Sequence, residues 1–265
     1  MCKLNHEIRE WLYRNISLNH AKDVRILPEL CAYTPCEVYE LVQNNPRIQK
    51  WFKFISTEYL PPAEKRILLL YPCSTVKPFW ESRSYKVLFK TLDSLGKYRK
   101  YIHLVTVSEP FGLVPEEFYG KKSAWFNWKD EWYDVPGLFE WWVRKYNLPY
   151  EREYVDKSIE AISLSISEYL KRTRDHYASR IAFIRTYSST LRQKRDHTHR
   201  RMIENAVKMS KLEIKMLPTK SMIKSIVDQH GRFAWDMYGV SHPEAQRYLK
   251  RQLLETIKKV ISDEA

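Results

Sequence analysis

Glycine is scarce in this chain, with 6 residues among 265. The phosphate-binding loops of nucleotide-dependent enzymes need closely spaced glycines, as in Gly-x-x-x-x-Gly-Lys or Gly-x-Gly-x-x-Gly. The sequence contains neither pattern. We therefore expect no Walker-type ATP site and no dinucleotide site, and we predict that the protein uses no cofactor.

Cysteine and long apolar runs are also scarce. The first residues, MCKLNHEIREW, are charged and lack the apolar region of a signal peptide, and no window approaches the ~18 apolar residues that span a membrane. We therefore expect a cytoplasmic protein without membrane association, whose four cysteines are free thiols. Cys31 and Cys36 would need two further ligands to form a zinc site, and His6 and His20, which could supply them, match no familiar zinc-site spacing. His197 and His199 lie two residues apart, which suits a metal pair on a helix poorly. No metal is predicted.

Positive charge is abundant, with a formal net charge of +13 and a pI near 9.4. Such a balance favours a polyanionic partner, and nucleic acid is the first candidate. The strongest basic cluster is the segment RQKRDHTHRR. Its candidate phosphate ligands are Arg192, Lys194, Arg195, Arg200 and Arg201. The alternative is a solvated helix start.

Short apolar runs alternate with helical patterns over most of the chain. We predict strands at 66–71 (RILLLY), 101–108 (YIHLVTVS), 180–188 (RIAFIRTYS) and 212–219 (LEIKMLPT), and a turn with a short helix at 111–119. This order indicates a three-layer α/β fold, with a mostly parallel sheet flanked by helices. Residues 1–62 are predicted to form a small helical N-terminal segment, and 63–265 an α/β core domain.

Polar residues follow three of these strands, at Pro72-Cys73-Ser74, Ser108-Glu109-Pro110 and Tyr187-Ser188-Ser189. Ligands bind parallel sheets at the carboxyl ends of the strands, so these loops predict a site. Cys73 occupies the position of a nucleophile at a strand-to-loop edge, and nearby cations would favour its thiolate. The alternative for Cys73 is a small residue in a tight corner.

Other polar residues near these loops are weaker candidates. Ser74, Ser82 and Ser84 offer hydroxyl groups, and Glu109 and Asp134 are general acid/base candidates or helix caps. The tryptophans between 125 and 142 could stack on bases. The spacing of Trp125, Trp128 and Trp132 instead favours packing in the core.

The segment PPAEKRILLLYPCSTVKPFWESRSYKVL resembles the core of archaeosine synthase, the archaeal tRNA-modifying relative of tRNA-guanine transglycosylases. Its Pro-Cys-Ser, Lys-Pro-aromatic and spaced serine elements match, and HLVTVSEPFGLVPEEFY and WYDVPG match two later elements of that family. The similarity covers about residues 45–137 and continues more weakly towards Thr219. Phe79 stands where the family has Tyr, and Tyr85 where it has His.

The resemblance implies a uracil-DNA-glycosylase-like fold and formation of an amidine without ATP. In that reaction, lysine is added to the nitrile of 7-cyano-7-deazaguanine in tRNA. Cys73 would attack the nitrile as a thiolate, or the amine would attack a polarised nitrile directly. Ser74 or Ser82 would hydrogen-bond the imide nitrogen. Asp134 or Glu109 would orient the base or take a proton. Lys77 and Arg83 would hold phosphate or the lysine carboxylate. Ser84, Tyr85 and Ser108 complete the expected substrate-binding set.

The family also has a transglycosylase-like half and an RNA-binding PUA domain, which do not match this chain. The resemblance therefore implies tRNA as partner, with a transglycosylase-like or PUA-containing subunit and a lyase as further partners. Because Tyr85 is a poorer base than His at neutral pH, one alternative is a non-catalytic RNA- or DNA-binding module that kept the fold. Another is an enzyme acting on 7-deazaguanine in DNA.

Overall fold

A computed structural model describes residues 4–124, 126–187, 189–190 and 197–264, with side chains up to 262. Within these ranges the strands are β1 (Arg25–Cys31), β2 (Ile67–Pro72), β3 (Ile102–Ser108), β4 (Gly112–Pro115), β5 (Glu131–Asp134), β6 (Ser179–Phe183) and β7 (Lys215–Leu217). The helices are α1 (His6–Leu12), α2 (Leu18–His20), α3 (Pro35–Asn44), α4 (Pro46–Lys53), α5 (Arg83–Asp93), α6 (Glu140–Lys145), α7 (Arg152–Arg172), α8 (Thr198–Ser210), α9 (Lys220–Tyr238) and α10 (Pro243–Glu264). No helix in the described ranges is long and apolar enough to cross a membrane.

The central sheet has five strands in the order β4-β3-β2-β6-β7. β3, β2, β6 and β7 are parallel, and β4 pairs antiparallel with β3 at the edge. β2 is buried along most of its length, as its continuous apolar sequence predicts for a central parallel strand. The mixed α/β class with a mostly parallel sheet is therefore confirmed.

Two groups of helices flank this sheet. α10 contacts both α5 and α9, and α7 contacts both α3 and α8. The crossover through α5 runs from β2 to β3, whereas the crossover through α7 runs the opposite way across the sheet, from β3 to β6. Right-handed crossovers in opposite directions place their helices on opposite faces, so both faces are covered.

The N-terminal segment is largely helical, as predicted. Thr34 caps α3, Asn45 caps α4, and a proline follows each cap at the first helical position. The segment also contains β1, which pairs in parallel with β5 in a separate two-stranded sheet. Apolar side chains of the segment join the same hydrophobic cluster as those of the central sheet. The division into domains at residue 62 stays a prediction.

Two local predictions differ from the structure. Residues 112–115 form β4 rather than a turn, and the short helix follows at Glu116–Phe118. Cys36 is disulfide-bonded, which corrects the expectation that it is a free thiol, whereas Cys31 and Cys73 are free.

Candidate active site

The carboxyl ends of β2 and β3 meet at one edge of the sheet, as the sequence predicted. Pro72 pairs with Val107, and the Cys73 amide donates to the Val107 carbonyl at 2.9 Å. This register places Cys73, directly after β2, beside Glu109, directly after β3. At the third predicted loop, Tyr187 lies within the described residues and Ser188 lies outside them.

His199 joins these two residues from the first turn of α8. Its Nε2 lies 3.4 Å from the Cys73 sulfur and 3.1 Å from Glu109 Oε2, and the sulfur lies 4.0 Å from the same oxygen. His199 and Glu109 are both buried, and Cys73 is partly buried. The structure therefore brings together a thiol, a carboxylate and an imidazole from three separate elements.

Charges in this cluster stabilise one another. Burial alone would raise the pKa of Cys73, but Lys77 and His199 outweigh it and lower the pKa. Burial likewise opposes ionisation of Glu109 and of His199. Their attraction for each other nevertheless lowers the pKa of Glu109 to about 2, and Glu109 and Cys73 raise the pKa of His199 to about 10. Without a bound ligand, the carboxylate and the imidazolium are thus the stable forms at neutral pH.

The cluster lines a pocket of about 970 Å³. Acidic and basic side chains contribute to its wall, including Lys77, Asp134, Lys145, Arg185 and Arg201. Aromatic side chains form much of the remainder, including Phe139, Trp141, Trp142, Tyr146 and Tyr238. The pocket is therefore large enough for a purine-sized group and offers both stacking surfaces and charges.

Asp134 ends β5 at the wall of this pocket. Its Oδ2 accepts hydrogen bonds from the Ser17 hydroxyl at 2.8 Å and faces His20 Nδ1 at 3.0 Å. Ser17 in turn contacts the Tyr33 hydroxyl at 2.8 Å. The sequence left Asp134 open as a cap or a site residue, and the structure places its carboxylate in the pocket within a fixed polar network.

Lys77 is buried beside the cysteine. Its Nζ donates to the Ser74 carbonyl at 2.5 Å and lies 5.2 Å from the centre of the Tyr133 ring. Ser74 and Ser84 also line the pocket. Lys77, Ser74 and Ser84 therefore lie at the pocket wall, and their roles in the site stay predictions.

Four other predicted site residues do not line the pocket. Ser82 caps α5. Tyr85 is fully buried, and its hydroxyl lies 2.5 Å from Thr106 Oγ1. The Ser108 hydroxyl lies 2.6 Å from the Tyr133 hydroxyl. Arg83 is exposed and lies over the Tyr238 ring at 5.5 Å. Their assignment as site residues stays a prediction.

The basic cluster is only partly described. Arg192, Lys194 and Arg195 lie outside the described residues. Arg200 is buried and pairs with Glu204 at 3.4 Å, whereas Arg201 lines the pocket and pairs with Asp156. Of the described members, Arg201 is the one placed to meet a ligand in the pocket.

His199 is the main residue that the sequence did not select. The sequence indicates His199 only as half of a poorly spaced metal pair with His197, and its partners are 90 and 126 residues away in the chain. The available signal was a Thr-His pair at the start of a helix that follows a strand of the parallel sheet. Cys73, Glu109 and His199 also form a group of side chains that could bind a metal ion, although the sequence predicts no metal.

Residues 48–219 match the family model described as Domain of unknown function (DUF5591). The chain belongs to this family. Three proteins named archaeosine synthase subunit alpha are similar to it. Those of Thermoplasma acidophilum and Thermococcus kodakarensis are each 32% identical, over 139 and 76 residues, and that of Methanosarcina acetivorans is 39% identical over 70 residues. These matches confirm the resemblance to archaeosine synthases.

The matched regions are short relative to these proteins. They cover 52%, 28% and 26% of this chain, but 22%, 13% and 11% of the respective relatives. The chain thus spans less than a quarter of their lengths. A solved structure titled "Crystal structure of AF0587, a protein of unknown function" aligns over 77% of this chain and 49% of its own, with 15% identity and a TM-score of 0.43.

Proposed function

We propose that this chain acts in archaeosine modification of tRNA, and that its step is the addition of lysine to the nitrile of 7-cyano-7-deazaguanine in tRNA. The names of the similar proteins support the pathway. One observation carries the assignment to a site: the motif cysteine, Cys73, lies in a pocket beside Glu109 and His199. The motif by itself could not distinguish a reactive cysteine from one filling a corner.

The pocket supports the substrate class by its shape and its chemistry. Aromatic walls suit the flat faces of a deazaguanine. The Asp134 carboxylate is fixed by Ser17 and His20, so it can accept hydrogen bonds from the N–H groups on the edge of a guanine-like base. Lys77 supplies a buried cation for charge that develops near Cys73.

The two departures from the family motif lie outside this pocket. Phe79 and Tyr85 are both fully buried, and their rings are in contact, with centroids 5.3 Å apart. Neither lines the pocket wall. The Tyr-His pair of the family is thus replaced here by a packed Phe-Tyr pair, which supports retention of the chemistry over a non-catalytic module.

Two routes lead from nitrile to amidine at this site. In the covalent route, the Cys73 sulfur bonds to the nitrile carbon while the nitrile nitrogen takes a proton from His199. The lysine amine then displaces the thiolate, and the proton that the amine loses returns to His199. In the direct route, the amine bonds to the nitrile carbon, and the nitrogen gains the proton that the amine loses. Both routes add one lysine and release nothing else.

Partner subunits form part of this proposal because the chain spans a small part of its relatives. A transglycosylase-like or PUA-containing subunit would hold the tRNA, and a lyase would act on the lysine adduct. The basic charge of the chain is compatible with RNA or DNA. The similar proteins favour tRNA.

The test is mass spectrometry of nucleosides from tRNA that carries 7-cyano-7-deazaguanine, after incubation with the protein and lysine without ATP. We expect that base to gain the mass of one lysine. Cys73→Ser should abolish the gain on the covalent route, and a retained gain would leave only the direct route. Ser94→Ala, which removes an exposed hydroxyl outside the pocket, should retain the gain. Absence of the gain, with candidate partner subunits present, would refute the amidine-forming function.

A further inference from the structure

Three potential metal-ligand atoms lie close together in the side chains of Cys73, Glu109 and His199. The donors come from the loop after β2, the loop after β3 and the first turn of α8, and all lie within 4.8 Å of one another. Thiolate, carboxylate and imidazole are the ligands that zinc uses in proteins. These three are largely buried, unlike the exposed acidic groups that often cluster without an ion.

The distances suit a shared ion better than a hydrogen-bond relay. In a relay, the base contacts the nucleophile through one ring nitrogen and the orienting carboxylate through the other. Here the Cys73 sulfur and the Glu109 oxygen both approach the same atom, His199 Nε2, at 3.4 and 3.1 Å. A single N–H can be well aligned with only one of these two acceptors.

The ligand atoms around a tetrahedral zinc ion have separations similar to those observed among these three side chains. Zinc bond lengths of about 2.3 Å to sulfur and about 2.0 Å to nitrogen and oxygen place the ligand atoms roughly 3.3–3.6 Å apart. The observed separations are 3.4, 3.1 and 4.0 Å. Small side-chain shifts would bring all three atoms onto one ion.

Neighbouring groups provide the outer contacts that metal ligands usually have. The second oxygen of Glu109, Oε1, accepts a hydrogen bond from the Thr198 hydroxyl. His199 Nδ1 lies 3.2 Å from His197 Nδ1, so it can donate its proton there while Nε2 is left for the ion. Both contacts fix the orientation of a ligand side chain.

We propose that Cys73, Glu109 and His199 bind one divalent transition-metal ion, with zinc favoured by the ligand set. Three protein ligands leave one position open, as in catalytic rather than structural zinc sites, and these residues line the pocket. The negative charges of the Cys73 thiolate and the Glu109 carboxylate balance the two positive charges of the ion.

The role of the ion rests on the proposed function. At the open position it would bind the nitrile nitrogen and draw electrons from the nitrile carbon, so that the lysine amine attacks directly. The new C–N bond replaces one π bond of the nitrile, and the proton lost by the amine moves to the nitrile nitrogen. Cys73 then serves as a metal ligand and not as the nucleophile.

Elemental analysis of the full chain, purified without chelator, tests the binding. We expect one zinc per chain in the wild type and in Cys31→Ser, and its loss in Cys73→Ser and His199→Asn. Substituting cobalt should give a sulfur-to-metal charge-transfer band that Cys73→Ser lacks. Metal-free protein that takes up neither zinc nor cobalt would overturn the proposal, as would a zinc content unchanged in both ligand variants.

Alkylation of the wild-type protein keeps the test valid if these variants fail to fold. Bound zinc should protect Cys73 from iodoacetamide, and chelator should expose it, as measured by peptide mass spectrometry. Equal labelling in both states would contradict the proposal.

Nucleoside analysis on the same preparations separates the metal site from the proposed function. Full lysine addition by metal-free protein would overturn the role of the ion in the reaction and leave the proposed function. Protection without any lysine addition, with candidate partner subunits present, would support the site and refute that function.

Discussion

Lys77 brings a positive charge into a nearly enclosed position beside the motif cysteine. It is 4% exposed, and its Nζ is held by the Ser74 carbonyl at 2.5 Å. A cation fixed in this way needs no reorganisation when negative charge develops on a neighbouring atom during reaction. At the residue scale, Lys77 is therefore expected to contribute to catalysis and not only to binding.

Replacing Lys77 with Met should slow lysine addition by about 100-fold, the typical effect of removing one preorganised electrostatic group. The measurement is the single-turnover rate of lysine addition to nitrile-bearing tRNA. Lys90→Met, which removes an exposed cation on α5, is the matched control and should keep the wild-type rate. An unchanged rate in Lys77→Met would show that the buried charge has no part in the reaction.

Tyr85 illustrates a motif position that serves packing in this chain. Burial raises the pKa of its hydroxyl well above the ordinary value, and the hydroxyl contacts Thr106. Tyr85→Phe should therefore destabilise the fold by about 1 kcal/mol, the typical net value of one hydrogen bond. Urea unfolding of Tyr85→Phe, Thr106→Val and the double variant measures the coupling. Strictly additive losses would contradict a direct bond between the two side chains.

His199 shows why the candidate site was only partly predictable from the sequence. Cys73, Lys77 and Glu109 lie next to recognisable strand ends, so local pattern was sufficient to select them. His199 meets them only because α8 returns to the same edge of the sheet. Such a contact depends on the tertiary fold, and the Thr-His pair at the start of the helix does not by itself reveal it.

At the scale of elements, the start of α5 connects the motif loop to the sheet. The Ser82 hydroxyl accepts the Tyr85 amide at 3.3 Å, and the apolar face that follows buries Leu88 and Leu92. The helix therefore begins inside the motif, and its cap helps to fix the loop that carries Cys73.

Ser82→Ala should lower the free energy of unfolding by about 1 kcal/mol, because the first turn of α5 loses its cap. Thermal or urea unfolding measures the change. Ser94→Ala removes an exposed serine from the other end of α5 and should have a smaller effect. Equal stability of the wild type and Ser82→Ala would contradict the capping role.

Elements were predictable where a single local pattern determined them. β2, β3, β6 and β7 follow apolar or β-branched runs, and α3, α4, α7, α8 and α10 follow helical periodicity or proline positions. The sequence pattern does not predict β1, because Pro28 interrupts a seven-residue run. It does not predict β5 either, because the residues of this strand lie within a tryptophan-rich block. The sequence predicts a turn in place of β4 because four residues carry too little alternation of apolar and polar side chains, and the pairing of β4 with β3 comes from the tertiary fold.

At the scale of the whole molecule, the net charge of +13 and the pocket rim together determine how a nucleic acid would approach. Positive charge attracts the phosphate backbone without regard to sequence. Trp141 is 64% exposed at the pocket, unlike the buried Trp128 and Trp132. It is therefore placed to stack on a nucleotide that flanks the modified base.

Trp141→Ala should weaken tRNA binding about 5- to 150-fold, corresponding to one lost stacking contact of ~1–3 kcal/mol. Fluorescence titration or filter binding at fixed ionic strength measures the affinity. Phe233→Ala is the control, because Phe233 is 72% exposed but does not line the pocket. An equal loss in both variants would show that binding does not use the pocket rim.

The central claim is that the nitrile-bearing base is presented to Cys73, Glu109 and His199. A crystal structure of the protein with an RNA fragment that carries 7-cyano-7-deazaguanine tests it most directly. The account predicts that the base enters the pocket with its nitrile towards these three residues and its guanine edge towards Asp134. A base bound elsewhere, or one whose nitrile points away from all three residues, would contradict the account.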